Sequence, residues 1–330
     1  MMLRKYCLFM FIVNLSFTDH VPPRYMIDLD LAPELRWLKV VNDYKEFLPA
    51  IIKEINMFVP KFFRRIGWWL SRNILLRNFP DEYIQEMQGL AKYSGLDIGE
   101  VVAINVFYDF SAFNRGHIVG DVGCTSIVAE DHQGQIIHGR NLDYNIAPLL
   151  RNLTIIADFA RKKNILYSGV TFVLNVGLLT GQRHDSFSVS LNERFSGSYI
   201  DTVLMAILTH FQNPVTFVIR MVLEKQDTFE KAKEILMKKH FMAPSYLIIA
   251  GIKPGQACII TRNRLNTADL KCIDTQSNQW FLVETNFDHW KAGKGRRRWI
   301  AEKALLKIGK YAISNKRMLQ ILSLHPVENK

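Results

Sequence analysis

The stretch that decides the fold is GCTSIVAEDHQGQIIHGRNLDY, residues 123–144. Residues 125–130 are rich in β-branched side chains and alternate, residues 135–140 alternate again, and DHQG between them is a polar turn that contains glycine. Two alternating segments joined by such a turn predict a β-hairpin. The hairpin would hold a thiol, that of Cys124, at the first residue of a strand and directly after Gly123.

The return strand of this hairpin brings Arg140 and Asp143 back toward Cys124. A nucleophile, a cation and a carboxylate would then meet at one edge of a sheet. The thiolate is the reactive form of cysteine, and a nearby cation lowers the pKa of a thiol. Other interpretations stay open on spacing alone, since a lone cysteine is commonly a small buried hydrophobe. Arg140 would then be an exposed strand charge and Asp143 a turn residue.

Composition and charge limit the class of protein. The chain has 330 residues, of which 48% are hydrophobic and 22% charged, which is typical of a globular protein. Residues 1–18 resemble a signal peptide, with Arg4 and Lys5 before an apolar run (6–13) too short to span a bilayer. The alternative is a buried helix or a membrane anchor.

The net charge also indicates the kind of partner. Removal of Arg4 and Lys5 with the signal would lower the formal charge from +11 to +9, which still favours an anionic surface. With a signal peptide, an anionic membrane is the expected partner and nucleic acid is not.

Four cysteines restrict the site further. Cys7 lies in the predicted signal, and the remaining Cys124, Cys258 and Cys272 are odd in number, so at least one thiol should be free. The chain has no Cys-x-x-Cys, no His-Glu-x-x-His and no P-loop. The sequence therefore predicts neither a metal nor a cofactor.

The pattern of elements predicts an α+β fold. Before residue 124 we expect a strand at 25–31 and helices at 81–93 and 98–107, the latter opened by a capping box at Asp97. Residues 50–76 are apolar, aromatic and basic, and predict two helices broken at Pro60 or Gly67. This pair is either a core element with a basic outer face or an amphipathic surface that contacts lipid.

After residue 124 the sequence is rich in predicted strands. They are expected at 154–159, 165–174, 186–191, 246–251, 257–262 and 280–285. Helices are expected at 199–211, 214–224, 228–240, 300–311 and 315–324. Runs of strands with grouped helices suggest two antiparallel sheets between helical layers.

Separated motifs carry a family resemblance. CTSIVAED (124–131) and HGRNLD (138–143) occur with DLAPELRW (30–37), NER (192–194) and VETNFDHW (283–290) in the same chain. This set resembles the acid ceramidase and N-acylethanolamine acid amidase family of N-terminal-nucleophile amide hydrolases, and it is closer to the amidase branch. The resemblance implies a four-layer αββα sandwich. It also implies a signal at 1–18, a mostly helical segment at 19–123 and a catalytic segment at 124–330, which we expect to be shortened at its C-terminus.

The resemblance also implies a mechanism centred on Cys124. Self-cleavage between Gly123 and Cys124 would give two associated subunits and a new α-amino group on the nucleophile. That amine has an ordinary pKa of about 8 and can accept the thiol proton. Asp143 would orient the amine, and Arg140 would fix the cysteine or the scissile carbonyl.

Other implied positions have plain alternatives. Asn286 matches a residue whose amide helps form an oxyanion hole, but it could be a turn residue. Glu193 would assist proton transfer during self-cleavage, or form a surface ion pair. We interpret His138 as structural. The run 296–298 lacks the acidic residues expected before it, and predicts a solvated basic patch. Asn152 begins a glycosylation sequon.

The expected activity is that of a lysosomal or secreted cysteine amidase. It would hydrolyse fatty-acid amides such as N-acylethanolamines, with ceramide as the alternative substrate. A second alternative is an inactive relative that only binds lipid.

Overall fold

The structure is a computed structural model that describes residues 21–49, 52–53, 61–111, 123–143, 147–194, 213–291 and 295–328. The predicted signal peptide, the possible helix break at Pro60, the loop at 114–122 and the helix at 199–211 lie outside the described residues.

A small sheet carries the nucleophile. Its strands are β2 (Cys124–Glu130), β3 (Ile136–Leu142) and β11 (Phe281–Glu284), in the order β11-β2-β3. The predicted hairpin is confirmed, because β2 and β3 pair antiparallel from Cys124 opposite Leu142 to Glu130 opposite Ile136. Asp131 closes the turn, where its carboxylate accepts the backbone N–H of Gln133 at 2.9 Å and that of Gln135 at 2.8 Å.

A large sheet of eight strands has the order β1-β4-β5-β6-β7-β8-β9-β10. The strands are β1 (Arg24–Asp28), β4 (Thr154–Arg161), β5 (Asn164–Phe172), β6 (Thr180–Arg183), β7 (Phe187–Glu193), β8 (Ser245–Gly251), β9 (Ala257–Arg262) and β10 (Thr267–Cys272). The expectation of wholly antiparallel sheets is wrong at one edge, because β1 pairs parallel with β4. The N-terminal segment thus contributes a strand to a sheet whose other strands all come from the chain after residue 124.

The helices lie on both outer faces. They are α1 (Leu38–Tyr44), α2 (Lys61–Leu70), α3 (Asp81–Ser94), α4 (Ile98–Asn105), α5 (Phe107–Ser111), α6 (Ala147–Leu153), α7 (Val215–Lys225), α8 (Phe229–Lys238), α9 (Arg296–Ile308) and α10 (Asn315–Leu322). The capping box at the start of α4 is confirmed. The proposed break at Gly67 is wrong, since α2 continues through it and changes into a wider turn only at Ser71.

Three clusters of buried side chains place the layers. One joins a face of β2 and β3 to α9 and α10, through residues such as Ile127 and Met318. A second joins the other face of the hairpin to the large sheet, for example Val128 to Ile248. The third and largest packs the far side of the large sheet against α7, α8 and the N-terminal helices. The order helix–sheet–sheet–helix confirms the predicted α+β sandwich.

Buried charges tie the N-terminal helices to α7, which lies after residue 124 in the chain. Glu86 of α3 accepts hydrogen bonds from both terminal nitrogens of Arg220 of α7, at 2.5 and 2.6 Å. Arg36 and Trp37 donate to the same carboxylate, at 2.9 and 2.7 Å. Arg220 and Glu86 are both fully buried, so this ion pair is sequestered from solvent.

Two features were not predicted from the strand pattern. β6 has only four residues and β10 alternates between half-buried and exposed positions at a sheet edge, so neither has a strong apolar pattern. Cys258 of β9 and Cys272 of β10 face each other and form a disulfide. Cys124 is the free cysteine in the part of the chain that the structure describes. Within the same ranges, no helix is both long and apolar enough to cross a bilayer.

Candidate active site

Cys124 is buried at the start of β2, and each of its polar groups has a partner. Its backbone N–H donates to Asn286 Oδ1 at 2.7 Å. Its carbonyl accepts a hydrogen bond from Arg297 Nη1 at 2.6 Å, and Arg140 Nη2 lies 3.6 Å from its Sγ. Side chains from the paired strand and from a segment more than 160 residues further along the chain therefore fix the main chain and the thiol of one residue.

Arg140 reaches Cys124 from the neighbouring strand. The two strands are in register there, and Arg140 stands opposite Ser126, two residues from the nucleophile. Its guanidinium also donates to Thr180 Oγ1 at 2.9 Å and to the carbonyl of Leu191 at 2.5 Å. These contacts hold a fixed positive charge beside the sulfur.

The bond between Gly123 and Cys124 lies in a constrained environment. The carbonyl oxygen of Gly123 accepts the backbone N–H of Asp143 at 3.0 Å. Gly123 has φ +148°, and a Cβ at this position would collide with Asn286 Oδ1 and stand 2.8 Å from Arg297 Nη2. Glycine is thus required both by the backbone conformation and by the lack of space.

Asn286 and Glu193 meet on the other side of Cys124. Asn286 lies in the turn after β11, and its Nδ2 donates to the backbone carbonyl of Glu193 at 2.8 Å. Glu193 ends β7 and is buried, so the alternative of a surface ion pair is wrong. In the intact chain the oxygen of the Asn286 amide faces the nucleophile. Its part in an oxyanion hole stays a prediction, as do the catalytic roles of the other residues.

The basic run at 296–298 is not a simple solvated patch. Arg297 and Arg298 are only 5% and 9% exposed. Arg297 bridges Cys124 and Asn286, with Nη2 at 2.8 Å from Asn286 Oδ1. Arg298 forms an ion pair with Glu284 and donates to the carbonyl of Phe287 at 2.5 Å. Both arginines thus have buried partners that are distant in sequence, so they need no acidic residue beside them in the chain.

Three groups near the site, His138, Glu284 and Asp109, have shifted pKa values. Burial lowers the pKa of His138 to about 4, and the charge of Arg140 adds to this effect. The ring of His138 lies between the hydroxyls of Ser188 and Ser190, both at 2.8 Å, in keeping with a structural role. Burial raises the pKa of Glu284 to about 7, against the opposing effect of Arg298. Burial also raises the pKa of Asp109 to about 7, and the charge of Glu193 acts in the same direction.

A cavity of about 770 Å³ has Arg140, whose guanidinium contacts Cys124 Sγ, in its lining. Its walls come mainly from β3, β5 and β6, and Asp143 is also part of its lining. The volume is within the range of about 300–1,000 Å³ that is usual for small-molecule sites. Apolar lining residues such as Phe172 and Leu179 stand beside polar ones such as Thr180. The described residues contain no group of three His, Cys, Asp or Glu side chains that could hold a metal ion.

Comparison with known proteins gives matches along the chain. A family model for linear amide C–N hydrolases of the choloylglycine hydrolase family matches residues 124–304. A model for the beta subunit of N-acylethanolamine-hydrolyzing acid amidase matches residues 21–79. The N-acylethanolamine-hydrolyzing acid amidase of Caenorhabditis elegans is 46% identical over 329 residues, which cover 100% of this chain and 92% of that protein. The chain belongs to the acid ceramidase and N-acylethanolamine acid amidase family.

Further relatives agree with this assignment. Human acid ceramidase is 34% identical over 331 residues, which cover 93% of this chain and 81% of the ceramidase. The acid amidase of Cavia porcellus is 36% identical over 314 residues, covering 94% of this chain and 85% of the relative. A solved structure of a Caenorhabditis elegans acid amidase ortholog has a TM-score of 0.59 and 50% identity, and covers 63% of this chain and 88% of that one. The chain is accordingly an amide hydrolase of the family that acts on linear carbon–nitrogen bonds.

The structure brings the family-matched residues together and adds others. One connected set of contacts joins Cys124, Arg140, Asn286 and the main chains of Asp143 and Glu193. Sequence reasoning missed Arg297 and Thr180 as members of this set. The sequence feature that could have indicated Arg297 is its place next to Arg298 after the tryptophan motif. No sequence feature indicated Thr180.

Proposed function

We propose that this chain is a cysteine amidase that hydrolyses fatty-acid amides of the N-acylethanolamine type after it cleaves itself before Cys124. One observation carries the proposal: Asn286, Arg297 and Arg140 contact the amide nitrogen, the carbonyl and the sulfur of Cys124, respectively. The acid amidase relatives over nearly the whole chain support the substrate class.

Self-cleavage begins with attack of Cys124 Sγ on the carbonyl carbon of Gly123. The backbone N–H of Asp143 donates to the oxygen that becomes negative, and this stabilises the tetrahedral intermediate. The C–N bond breaks, the nitrogen takes the thiol proton, and Gly123 is left as a thioester on sulfur. Water then releases the Gly123 carboxylate and a free thiol, and Cys124 gains an α-amino group.

Turnover uses the same atoms. The α-amine accepts the thiol proton as Sγ attacks the amide carbonyl of the substrate. When the amide C–N bond breaks, that proton passes to the leaving amine and the acyl group stays on sulfur. One water hydrolyses the thioester, so the net products are a fatty acid and an amine. Arg140, with its charge beside Sγ and its side chain in the cavity lining, keeps the sulfur reactive next to bound substrate.

N-terminal sequencing after acidification tests the cleavage, and matched substrates test the reaction. We expect a fragment that begins at Cys124, and hydrolysis of N-palmitoylethanolamine faster than of N-palmitoylsphingosine, which carries the same acyl chain. The Cys124→Ala variant should stay intact and inactive. Preference for the ceramide would identify the ceramidase alternative. A wild-type chain that binds both lipids and hydrolyses neither would be the inactive lipid-binding relative, and would contradict the proposal.

A lysosomal or secreted location is part of this proposal, and Asn152 would then carry a glycan. Asn152 is exposed near the end of α6. Glycosidase treatment of the protein from a secretory host should lower the mass of the wild type and leave Asn152→Gln unchanged. Equal masses before and after treatment of the wild type would remove the glycan assignment.

An anionic membrane is the surface from which this enzyme would take its substrate. Ile66, Trp69 and Leu70 of α2 are 48%, 59% and 40% exposed, and Arg65 beside them is exposed too. Apolar and basic side chains on one exposed helix suit an interfacial contact. Anionic vesicles should raise activity, and salt should reduce that effect. Trp69→Ser should weaken the activation, whereas the control Trp299→Ser, an equally exposed tryptophan of α9, should retain it.

A further inference from the structure

The carboxylate of Asp288, two residues beyond Asn286, collects several hydrogen bonds in a buried setting. Its Oδ1 accepts from Arg194 Nε at 2.7 Å and from the hydroxyl of Tyr246 at 2.7 Å. Its Oδ2 lies 2.8 Å from Lys291 Nζ and 3.3 Å from Arg194 Nη2. Asp288 is 4% exposed, so this is a buried two-point contact between a carboxylate and a guanidinium.

Arg194 links this carboxylate to two strand ends. It directly follows the last residue of β7 and is itself buried. Its Nη1 donates to Asn263 Oδ1 at 2.7 Å and to the carbonyl of Arg262 at 3.2 Å, at the end of β9. The turn after β11 is therefore fastened to the ends of β7 and β9 through one side chain.

The ion pair between Arg194 and Asp288 fixes the chain next to both ends of the hydrogen bond between Asn286 and Glu193. Asn286 donates to the carbonyl of Glu193, which precedes Arg194, and accepts from the N–H of Cys124. We propose that the Arg194–Asp288 ion pair is a positioning device that holds Asn286 against the amine of Cys124. The proposal rests on the proposed function, in which that amine accepts and returns the proton.

Asp288 stays negatively charged at the acidic pH at which an acid amidase would work. Burial acts to raise the pKa of Asp288, but hydrogen bonds from Arg194, Lys291 and Tyr246 outweigh it and hold that pKa well below its usual range. The ion pair therefore stays charged in acidic solution. Glu284, two residues before Asn286, loses its charge under the same conditions. Its raised pKa means that it takes up a proton as the solution becomes acidic. In acid, Asp288 therefore remains a charged support for the turn that carries Asn286, alongside Arg297, whose Nη2 donates to Asn286 Oδ1 at 2.8 Å.

Two variants of graded severity test this role. Tyr246→Phe removes one hydrogen bond to Asp288, and Asp288→Asn removes the charge while keeping the shape. In processed enzyme we expect kcat on N-palmitoylethanolamine to fall roughly three- to tenfold for Tyr246→Phe and roughly 10- to 100-fold for Asp288→Asn. KM should stay within about twofold, because substrate binding is untouched.

The pH profile separates positioning from mere stability. An acceptor held against the amine favours its protonated form and raises its pKa. Loosening Asn286 should therefore move the acid limb of kcat/KM toward lower pH by roughly 0.5–1 unit. The matched control is Glu130→Gln, which removes another buried carboxylate charge at the far end of β2, where Glu130 contacts Lys310 at 2.8 Å. It should lower the melting temperature while kcat and the acid limb stay at wild-type values.

The proposal is overturned if both variants lower only the melting temperature, as the control does. If Asp288→Asn is not recovered folded, Tyr246→Phe decides by the same two measurements, since it deletes a single hydroxyl. Wild-type hydrolysis with unaffected variants would reject the positioning role alone. Absence of wild-type hydrolysis would reject the proposed function, and this inference with it.

Discussion

The Cα atom of Gly123 stands so close to the amide oxygen of Asn286 that a Cβ between them would collide with that oxygen. The same oxygen accepts the N–H of Cys124, so the residue before the predicted cleavage point and the amide that contacts Cys124 share one narrow space.

Gly123→Ala should therefore block self-cleavage. The methyl group would push Asn286 and Arg297 away and would force alanine into a positive-φ conformation. We expect cleavage at acidic pH to slow at least about 100-fold, because a displacement of about 1 Å can cost that much in rate. Mass spectrometry of the fragments over time measures it.

Gly67→Ala is the matched control for this change. Gly67 lies in α2, where an added Cβ would have no atom of the described residues within 4 Å apart from its chain neighbours and the backbone of its own helix. Alanine is the better helix former by about 1 kcal/mol. This variant should be processed at the wild-type rate. Normal processing of Gly123→Ala would show that the geometry around the scissile bond does not limit cleavage.

Arg140→Lys should impair turnover almost as much as Arg140→Ala. The planar guanidinium contacts Cys124 Sγ, Thr180 Oγ1 and the carbonyl of Leu191 together, and a lysine ammonium is a point charge without that fork. Loss of a fixed donor in such a site costs about 10²–10³-fold in kcat. Turnover should be measured on processed enzyme, counted by its Cys124 N-terminus.

Thr180→Val provides a graded comparison for Arg140. It removes one acceptor of the guanidinium, at 2.9 Å, and leaves the charge in place. The fall in kcat should be smaller than for lysine. If Arg140→Lys keeps near-normal turnover, the positive charge alone suffices and the planar shape of the guanidinium has no role.

The fold was largely predictable from the sequence, because hairpin and core strands have strong alternation or apolar runs. β6 and β10 were not, since a four-residue strand and an edge strand bury too few side chains to leave a pattern. The site was only partly predictable. Cys124 and Arg140 are neighbours in one hairpin, but Arg297 contacts the carbonyl of Cys124 across 173 positions of sequence. A run of arginines looks solvated until its buried partners are known.

Asp109 should make stability depend on pH in a defined direction. Its ordinary pKa is 3.8 and its folded pKa is about 7, so between these values the folded state binds more protons. Stability from this group is present at low pH and is lost as pH rises through about 7. Between pH 5 and pH 8 the loss amounts to roughly 2–3 kcal/mol, at about 1.4 kcal/mol for each pH unit below the folded pKa.

Asp109→Asn removes this titration and keeps an oxygen for the N–H of Val215, which donates to Asp109 at 3.0 Å. The stability of the variant relative to wild type should therefore rise by that amount from pH 5 to pH 8 in urea unfolding. Asp43→Asn, which changes an exposed carboxylate, should show no such rise. A constant difference between Asp109→Asn and wild type across the pH range would contradict the raised pKa.

The last prediction concerns the ion pair that joins the two segments. Glu86 lies in α3 and Arg220 in α7, on opposite sides of the predicted cleavage point, and both are fully buried. Removing one partner of a buried pair leaves an uncompensated charge and costs about 3–5 kcal/mol. Glu86→Gln should lower the free energy of unfolding by this amount. In cleaved protein the fragments should also separate at a lower urea concentration, because no peptide bond then holds α3 to α7.

Size-exclusion chromatography in urea, with each fragment followed by mass, measures this separation. Glu234→Gln is the control, since it breaks an exposed ion pair with Lys238 within one helix, and its midpoint should stay close to wild type. Replacement of both Glu86 and Arg220 by apolar residues should recover part of the loss, because the cost arises from the charge left unpaired. If Glu86→Gln separates no earlier than the control, apolar packing and the pairing of β1 with β4 hold the segments together without this pair.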